Sequence, residues 1–578
     1  MHASRRRLLA GLSASLAAGG VARAAQAYDD VTVFEAAKII TMEPSQPSAR
    51  FVAVANGMVL SLADSLEALA PWTKGRKVTV DRRFAGQVLT PGFIDPHIHP
   101  MQAAVMLNLP FIAPDDWKLP SGFSPGVRTP EGYRERLSKA LAGSTQSPFI
   151  TWGYHELFHG RIRRAELDAL SPQRPMALWQ RSFHEVIVNT ALLKAWGLDD
   201  PAAFDAALKA GGAEPSHASL AEGRFTETAL PIAIGKLRPV IMTPARLQGG
   251  MAAMQAMMLK SGVTTVSDMA TGIFAGFAME AGLIRAAFER PGAASRVMLM
   301  PMALELDKVS DLDGWLAAAR AKYVGPHVRL ERRVKMFADG AFFAQNMRMN
   351  PPGYADGHEG KWITPPAVLQ AEFNRFWQAG FSLHVHVNGD EGADVVLDAL
   401  EALPVRRGQT VTLEHLGFST EAQNRRIARM GLMVSAQPNY IRVLGDVYAT
   451  EGLGPDRAAT MNRLGSLERK NVPLGLHSDF NMAPIDPLYL AWVAANRITV
   501  GGQVKAPEER LSLDKALRAI TIEAAQVIGM DALVGSLAAG KRADFAVLDK
   551  DPYAAGAAGL RDLRVLGVVY EGAWTAAT

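Results

Sequence analysis

The chain has no cysteine in its 578 residues. That excludes disulfides, thiolate metal sites and cysteine nucleophiles, so a bound metal must be held by nitrogen and oxygen. Beyond its first segment it also lacks any apolar run of the ~20 residues needed to cross a bilayer. Clusters of like charge are scarce. The formal net charge of +4 is accounted for by residues 1–27, which carry Arg5, Arg6, Arg7 and Arg23 and no acid, so the remainder is neutral. A neutral chain without basic runs has no electrostatic footprint for nucleic acid. Internal repeats and low-complexity tracts are likewise missing. A hydrophobic content of 48% and a charged content of 20% argue for a large core and against disorder. The length allows two or three domains, or one barrel with additions.

The N-terminus reads as an export address. Ser4-Arg5-Arg6-Arg7-Leu8-Leu9 resembles a twin-arginine signal, a short apolar run continues to about Val21, and Ala22-Arg23-Ala24 and Ala25-Gln26-Ala27 both have the A-x-A form of a cleavage site. This predicts a signal peptide over residues 1–27, passage of the folded protein through the twin-arginine translocation machinery, and a periplasmic location without an integral membrane span. That route suits a protein that takes up its metal before export.

What the chain does have is ordered histidine. The run Pro91-Gly92-Phe93-Ile94-Asp95-Pro96-His97-Ile98-His99-Pro100 follows the strand-forming Val88-Leu89. On a strand, residues i and i+2 point the same way, so His97 and His99 can grip one metal ion. Four further candidates follow in order: Lys335, His386, His415 and Asp479.

Short β-rich segments occupy residues 30–88, among them Val31–Phe34, Phe51–Val54 and Val78–Val80, with Asn56-Gly57 as a hairpin turn. Asp544–Leu548 and Val565–Tyr570 repeat the style at the other end. The expectation is a small β-sandwich built from both chain ends, 28–88 plus 535–578. Between them, strand-like and helix-like runs alternate, which favours parallel βα units. Eight runs can be counted: Val88–Asp95, Val263–Met269, Arg296–Met302, Val334–Phe337, Phe381–His386, Thr410–His415, Leu432–Gln437 and Val472–Asp479. They predict an α/β fold with a (β/α)8 TIM-like barrel over 89–104 plus 240–534. Residues 105–239 are too many for a βα loop and form a large insertion after strand 1, a substrate-pocket or lid region. Gln248–Lys260 reads as the helix leading into strand 2.

Each candidate ligand has an ordinary reading: a hydrogen-bonded core histidine, or a salt-bridging lysine at Lys335. What those readings leave unexplained is that the candidates fall at or near the C-terminal ends of strands 1, 4, 5, 6 and 8, the face where TIM barrels keep their chemistry. In the run Leu383-His384-Val385-His386, His384 is the alternative ligand to His386.

With these pieces in view, the chain resembles the amidohydrolase superfamily, in its amidohydrolase-3 branch. Pro91–His99, Gly262–Val266, Val334–Gly340, His386-Val387-Asn388-Gly389-Asp390, Glu414-His415-Leu416, His477-Ser478-Asp479 and the tail Gly535–Asp544 carry the resemblance, which spans nearly all of residues 30–575. It implies one or two divalent metals, usually Zn2+. His97 and His99 would bind the first ion and His386 and His415 the second. Lys335 would bridge two ions as a carbamate, since an ammonium repels cations, and Asp479 would touch the first ion and shuttle protons. The activity implied is attack of a metal-activated hydroxide on a small amide, N-acyl or N-formyl substrate, breaking a non-peptide C–N bond. Ester or lactone hydrolysis, or deamination of a ring, is the alternative on the same site. A non-catalytic binding protein would need a broken ligand set, and nothing breaks it.

The insertion contains His155-Glu156-Leu157-Phe158-His159, which matches the H-E-x-x-H of zinc proteases. Such a motif needs a helix and a third ligand, and Gly153 and Gly160 flank it, so pocket-shaping residues are the better reading. His155, Trp152 and Tyr154 are accordingly expected to bind substrate, with Phe158 beside them. Phe183-His184-Glu185-Val186-Ile187-Val188-Asn189 resembles the branch's H-x-x-x-x-N segment. By that resemblance His184 steadies a substrate carbonyl or oxyanion; a structural histidine is the competing reading. Oligomeric state has no signature here.

Overall fold

The computed structural model describes residues 28–404 and 408–577. The signal segment 1–27 lies outside them. Among the described residues, no helix is long and apolar enough to cross a membrane.

Two parallel sheets form the centre. One has the order Val328–Leu330, Arg296–Pro301, Val263–Thr271, Phe93–Ile98; the other runs Arg333–Phe337, Ser382–Val387, Val411–His415, Met433–Ala436, Leu474–Leu476. Single parallel bridges link the two sheets, from Met302, just after Arg296–Pro301, to Lys335 and from Ile98 to Phe480. Helices fill the connections, as parallel pairing requires. The result is a TIM-barrel-like α/β fold. Each of the eight expected runs overlaps one of these strands, and Val328–Leu330 is an additional short one.

The expected first strand, Val88–Asp95, needs correction. It is the end of one strand, Lys77–Pro91, and the start of another, Phe93–Ile98. They meet at Gly92, where a Cβ would lie 2.2 Å from Thr264 Oγ1. Only a residue without a side chain lets the chain pass there from one sheet to the next. The passage between the two sheets thus lies at Gly92.

Lys77–Pro91 belongs to a seven-stranded sheet made from both ends of the chain. Its order is Ala573–Ala576, Val565–Tyr570, Phe545–Leu548, Lys77–Pro91, Asp30–Ile40, Ser48–Ala55, Met58–Ala63. Period-2 alternation gives it two apolar faces, with Phe34, Phe84 and Phe545 in one cluster and Val31, Val33 and Phe51 in another. Arg296, on the third parallel strand, ties this sheet to the centre. It is 1% exposed and pairs with Asp544 and, at 3.1 Å, with Glu571. Tyr570 lies under the guanidinium at 4.8 Å.

The insertion carries a sheet of its own. Five strands pair in the order Ala218–Ser219, Arg224–Thr226, Glu185–Val188, Met176–Gln180, Phe149–Tyr154. The helix that leads back into the second parallel strand runs Pro244–Lys260. Thr243 caps it by accepting from the Arg246 amide, with Pro244 opening the first turn. Gly250 on this helix faces the short helix Pro100–Met106, which begins straight after His99. A Cβ at Gly250 would lie 2.0 Å from Ala104 O, so the close approach that seats the His99 end of the first strand depends on glycine.

Arg296→Leu should leave Asp544 buried without its cation. The expected loss is about 3–5 kcal/mol of folding stability, measured as a shift of the urea unfolding midpoint. A midpoint unchanged from wild type would show that Arg296 does not join the two sheets energetically.

Candidate metal centre

The C-terminal ends of the first, fourth, fifth, sixth and eighth parallel strands converge on one cavity of about 120 Å³. His97, His99, Lys335, His386, His415 and Asp479 all border it, and so does His184 from the insertion. The pair at i and i+2 works as its spacing suggests, with the His97 and His99 rings 5.2 Å apart. Asp479 Oδ1 lies 3.0 Å from His99 Nε2 and 3.6 Å from His97 Nε2. These three groups present ligand atoms within 4.8 Å of one another. Asp479 Oδ2 lies 3.8 Å from His415 Nδ1 and accepts from Gln437 Nε2 at 3.3 Å. The His386 ring centre is 4.5 Å from that of His415.

Two backbone departures bring these groups together. Adjacent residues on a strand face opposite ways, yet Glu414 and His415 both reach the interior. His415 closes its strand at φ 72°, in the left-handed region, and this turns its ring inward beside the preceding carboxylate. Asp479 sits at φ 49°. For residues other than glycine such conformations cost on the order of 1–3 kcal/mol each and are typical of functional sites.

Glu414 organises the imidazoles from beneath. It is 0% exposed and takes His97 Nδ1 on one oxygen at 2.8 Å and His384 Nδ1 on the other at 2.7 Å. His97 Nε2 is thereby directed into the cavity. The same contact settles the geometry of the other pair. His384 has Nδ1 on Glu414 and Nε2 3.2 Å from Arg333, and it does not border the cavity, whereas His386 does. Asp95 locks the first strand to the eighth by accepting from the Ser478 hydroxyl at 2.5 Å, and burial pushes its pKa up to about 7. Asp339 accepts from the amides of Asn388, Gly389 and Arg348 at 2.8–2.9 Å and so shapes the turn after His386.

Do these groups fit a metal? Burial, reinforced by Lys335 and by neighbouring imidazoles, holds His97, His386, His415 and His477 well below the usual histidine range. They are neutral at pH 7, the ligand form. Lys335 is 0% exposed, and among the described residues its Nζ has no hydrogen-bond partner. Burial pushes its pKa down to about 8 against the pull of Glu414 and Asp479. A buried, orphaned lysine among acceptors and neutral imidazoles is unexplained unless a further group completes it. The donor set, all nitrogen and oxygen, fits divalent metal.

Four residues of the site carried no assignment from the sequence. Glu414 is one. His477 is another: its ring lies 3.2 Å from His415 Nδ1 and 2.7 Å from Ser435 Oγ, and with His97 and His415 it makes a second triad of ligand atoms. Both stand next to predicted ligands, and adjacency was the only available signal. Glu227 is the third. It holds His184 Nδ1 at 2.9 Å while Asn346 donates to its other oxygen at 3.0 Å. Burial alone would lower the His184 pKa, but Glu227 outweighs it and the net shift is upward. Arg181 is the fourth. It is fully buried, binds Asp115 at 2.6 and 3.0 Å, and donates to Met482 O at 3.0 Å, which pins the turn carrying His184 to the loop after Asp479.

The other predicted pocket residues are placed differently. Trp152 is 0% exposed and packs on Phe111 at 4.8 Å and Phe183 at 5.7 Å. Tyr154 is also buried, and its hydroxyl is spent on Gly160 O and the Ile162 amide. Both belong to apolar clusters and border neither the metal cavity nor its neighbour, which corrects the expectation that they touch substrate. Phe158 packs against the same core. His155 borders that second, neighbouring cavity. The H-E-x-x-H run makes no zincin site. Its helix is only Glu156–His159, and both His159 nitrogens are engaged, Nδ1 by the His155 amide and Nε2 by Val127 O.

The nitrogen and oxygen donor set stands at the C-terminal ends of the parallel strands, where TIM-barrel-like enzymes keep their chemistry. The model of the amidohydrolase family matches residues 85–576, and the chain belongs to that family, in its amidohydrolase-3 branch. It is 25% identical to the N-substituted formamide deformylase of Arthrobacter pascens, covering 93% of this chain and 96% of that protein. It is 25% identical to the putative amidohydrolase YtcJ of Bacillus subtilis (strain 168), covering 86% and 90%. Among solved structures, an uncharacterized metal-dependent hydrolase from Pyrococcus horikoshii superposes with a TM-score of 0.69 at 20% identity, over 91% of this chain and 99% of that one. The chain is therefore an amidohydrolase-family hydrolase.

Glu414→Gln should weaken metal binding about 10–100-fold, the usual cost of removing a carboxylate behind a ligating histidine. Competition with a chromogenic chelator would read this directly. Wild-type affinity in that variant would rule out the orienting role.

Proposed function

We propose that this protein hydrolyses a non-peptide C–N bond in a small amide, N-acyl or N-formyl compound. The observation that carries the reading is the convergence of six N and O donors and the Glu227-held His184 on one cavity. The similarity to a formamide deformylase supports the choice of bond. His97, His99 and Asp479 would hold one divalent ion and His386 and His415 a second. Lys335 would lie between them as a carbamate, its amine adding CO2 and releasing a proton. Zn2+ suits neutral imidazoles best. When bound, such ions supply a water that ionises near neutral pH and polarise the scissile carbonyl.

The side chains do the rest. Asp479 has an oxygen facing His99 and a second steadied by Gln437, so it is placed to take the proton of the attacking water and deliver it to the leaving nitrogen. Without that proton an amine is a poor leaving group. His184, held by Glu227 through Nδ1, faces the same cavity and is placed to stabilise negative charge on the carbonyl oxygen. Phe342, stacked on Tyr440 at 4.2 Å, and Phe343 wall the cavity and exclude bulk water.

The same reading treats the two parallel sheets as one closed eight-stranded barrel and the seven-stranded sheet as a folded-over sandwich. The insertion, 105–239, covers the mouth and shapes the substrate pocket. Export by the twin-arginine route to the periplasm, with metal loaded beforehand, completes the proposal.

Asp479→Asn should lower turnover of an N-acyl substrate by about 10²–10⁴-fold while elemental analysis finds the metal retained. Thorough chelation should abolish wild-type turnover and added zinc should restore it. Near-wild-type turnover in the variant, or activity that survives chelation, would overturn the mechanism.

A further inference from the structure

Behind the metal cavity the interior carries a line of polar side chains. Glu414, on the sixth strand, faces His97 Nδ1 at 2.8 Å and His384 Nδ1 at 2.7 Å. His384, on the fifth strand, meets Arg333 through its other nitrogen, with Arg333 Nη1 3.2 Å from Nε2. His97, His384 and Glu414 are all at most 1% exposed. Arg333 opens the fourth strand, Arg333–Phe337, and so stands at the end of the strands opposite the metal cavity. Its guanidinium lies against Gly529, where a Cβ would overlap it, and approaches Thr410 Oγ1 at 3.5 Å. Neither Arg333 nor His384 borders the metal cavity.

This chain of contacts can run in one direction only. A guanidinium has donors and no acceptor. Arg333 therefore donates to His384 Nε2, which must be the bare nitrogen of the ring, and the ring proton is on Nδ1, facing Glu414. In the other tautomer Nε2–H would confront an Arg333 N–H, and the Nδ1 lone pair would confront a carboxylate oxygen at 2.7 Å. With one Glu414 oxygen accepting from His384, the other accepts from His97 Nδ1–H. That leaves His97 Nε2 bare on the side of Asp479, 3.6 Å away.

The surroundings give these groups no reason to be there as mere filling. Ile94, Met269, Met298, Met300 and Met433, from the first, second, third and seventh strands, form an apolar cluster with Ile528, the residue before Gly529. Polar and charged groups buried in such an interior cost free energy unless each is paired. Apolar side chains of similar volume would often stabilise it as well or better. What apolar side chains cannot do is impose a direction on a hydrogen bond.

We infer that Arg333 and His384 are positioning residues of the metal centre: Arg333 fixes the His384 tautomer, His384 fixes the Glu414 carboxylate, and Glu414 aims His97 Nε2 at the ion. This rests on His97 being a ligand, as proposed above, and on no feature of the reaction. The aim of a ligand on one face of the barrel is thereby set from the other.

Two measurements on the full chain test this, and neither is turnover. The first is nitrogen NMR of purified protein labelled in its histidine rings, with the His384 signals identified by their loss in His384→Asn. Wild type should carry the His384 proton on Nδ1. Arg333→Leu should lose that single form, and Arg333→Lys, which also only donates, should keep it. The second is zinc affinity, read by competition of Zn2+ with a chromogenic chelator. His384→Leu should lose about 10–100-fold, the usual cost of removing a partner behind a ligand. His384→Asn, whose amide can accept from Arg333 and donate to Glu414, should recover most of that loss. Arg333→Leu should lose about 10-fold, Arg333→Lys should stay near wild type, and Arg333→Leu should add nothing to His384→Leu, because the chain is already cut. A wild-type proton on Nε2, unchanged zinc affinity in Arg333→Leu, equal losses in Arg333→Lys and Arg333→Leu, or additive losses would each overturn the inference. Should His384→Leu fail to fold, the wild-type tautomer and the two Arg333 variants still decide. Wild-type zinc affinity in His97→Ala would remove the ligand assignment and the inference with it. Affinity lost in His97→Ala but unmoved in Arg333→Leu would overturn the inference alone.

Discussion

The carboxylate of Glu414 is the contact on which the rest of the centre depends. It is fully buried, comes from the sixth parallel strand, and engages imidazoles of the first and fifth. One side chain thereby sets the tautomer of His97, removes His384 from competition with His386, and draws three strands of the interior toward a common point. An unpaired carboxylate in that position would be very costly. Paired on both oxygens, it makes the surrounding arrangement the least costly one.

Around it the site is built by spending stability. His415 and Asp479 adopt left-handed backbone, and Lys335 is buried with no hydrogen-bond partner among the described residues. Each is unfavourable in isolation. They are held by a large continuous core and by stiff connections such as the Asp95–Ser478 and Arg181–Asp115 contacts. Local rules of sequence fail mainly where function is expected to reside.

Much of the centre was legible because strand geometry converts spacing into direction. His97 and His99 at i and i+2 needed only that rule, whereas the choice of Lys335, His386 and His415 among other histidines and lysines came from the family resemblance. Gly92 was harder: a continuous β-rich run gives no sign that two strands meet inside it, since the clash with Thr264 is a tertiary event. The aromatics Trp152 and Tyr154 looked like pocket walls because core and pocket share one composition. Glu414, Glu227 and Arg181 act across 317, 43 and 66 residues of chain, on His97, His184 and Asp115, and no local pattern encodes such partnerships.

The seven-stranded sheet joins residues 30–91 to residues 545–576, so the strand that delivers His97 and His99 runs on directly from one that has an early partner, Asp30–Ile40, on one side and a late one on the other. On the ribosome, Lys77–Pro91 waits through the synthesis of more than four hundred residues before Phe545–Leu548 emerges to pair with it. The emerging N-terminal half therefore cannot finish its own sheet. Completion of that sheet is a late event of biogenesis.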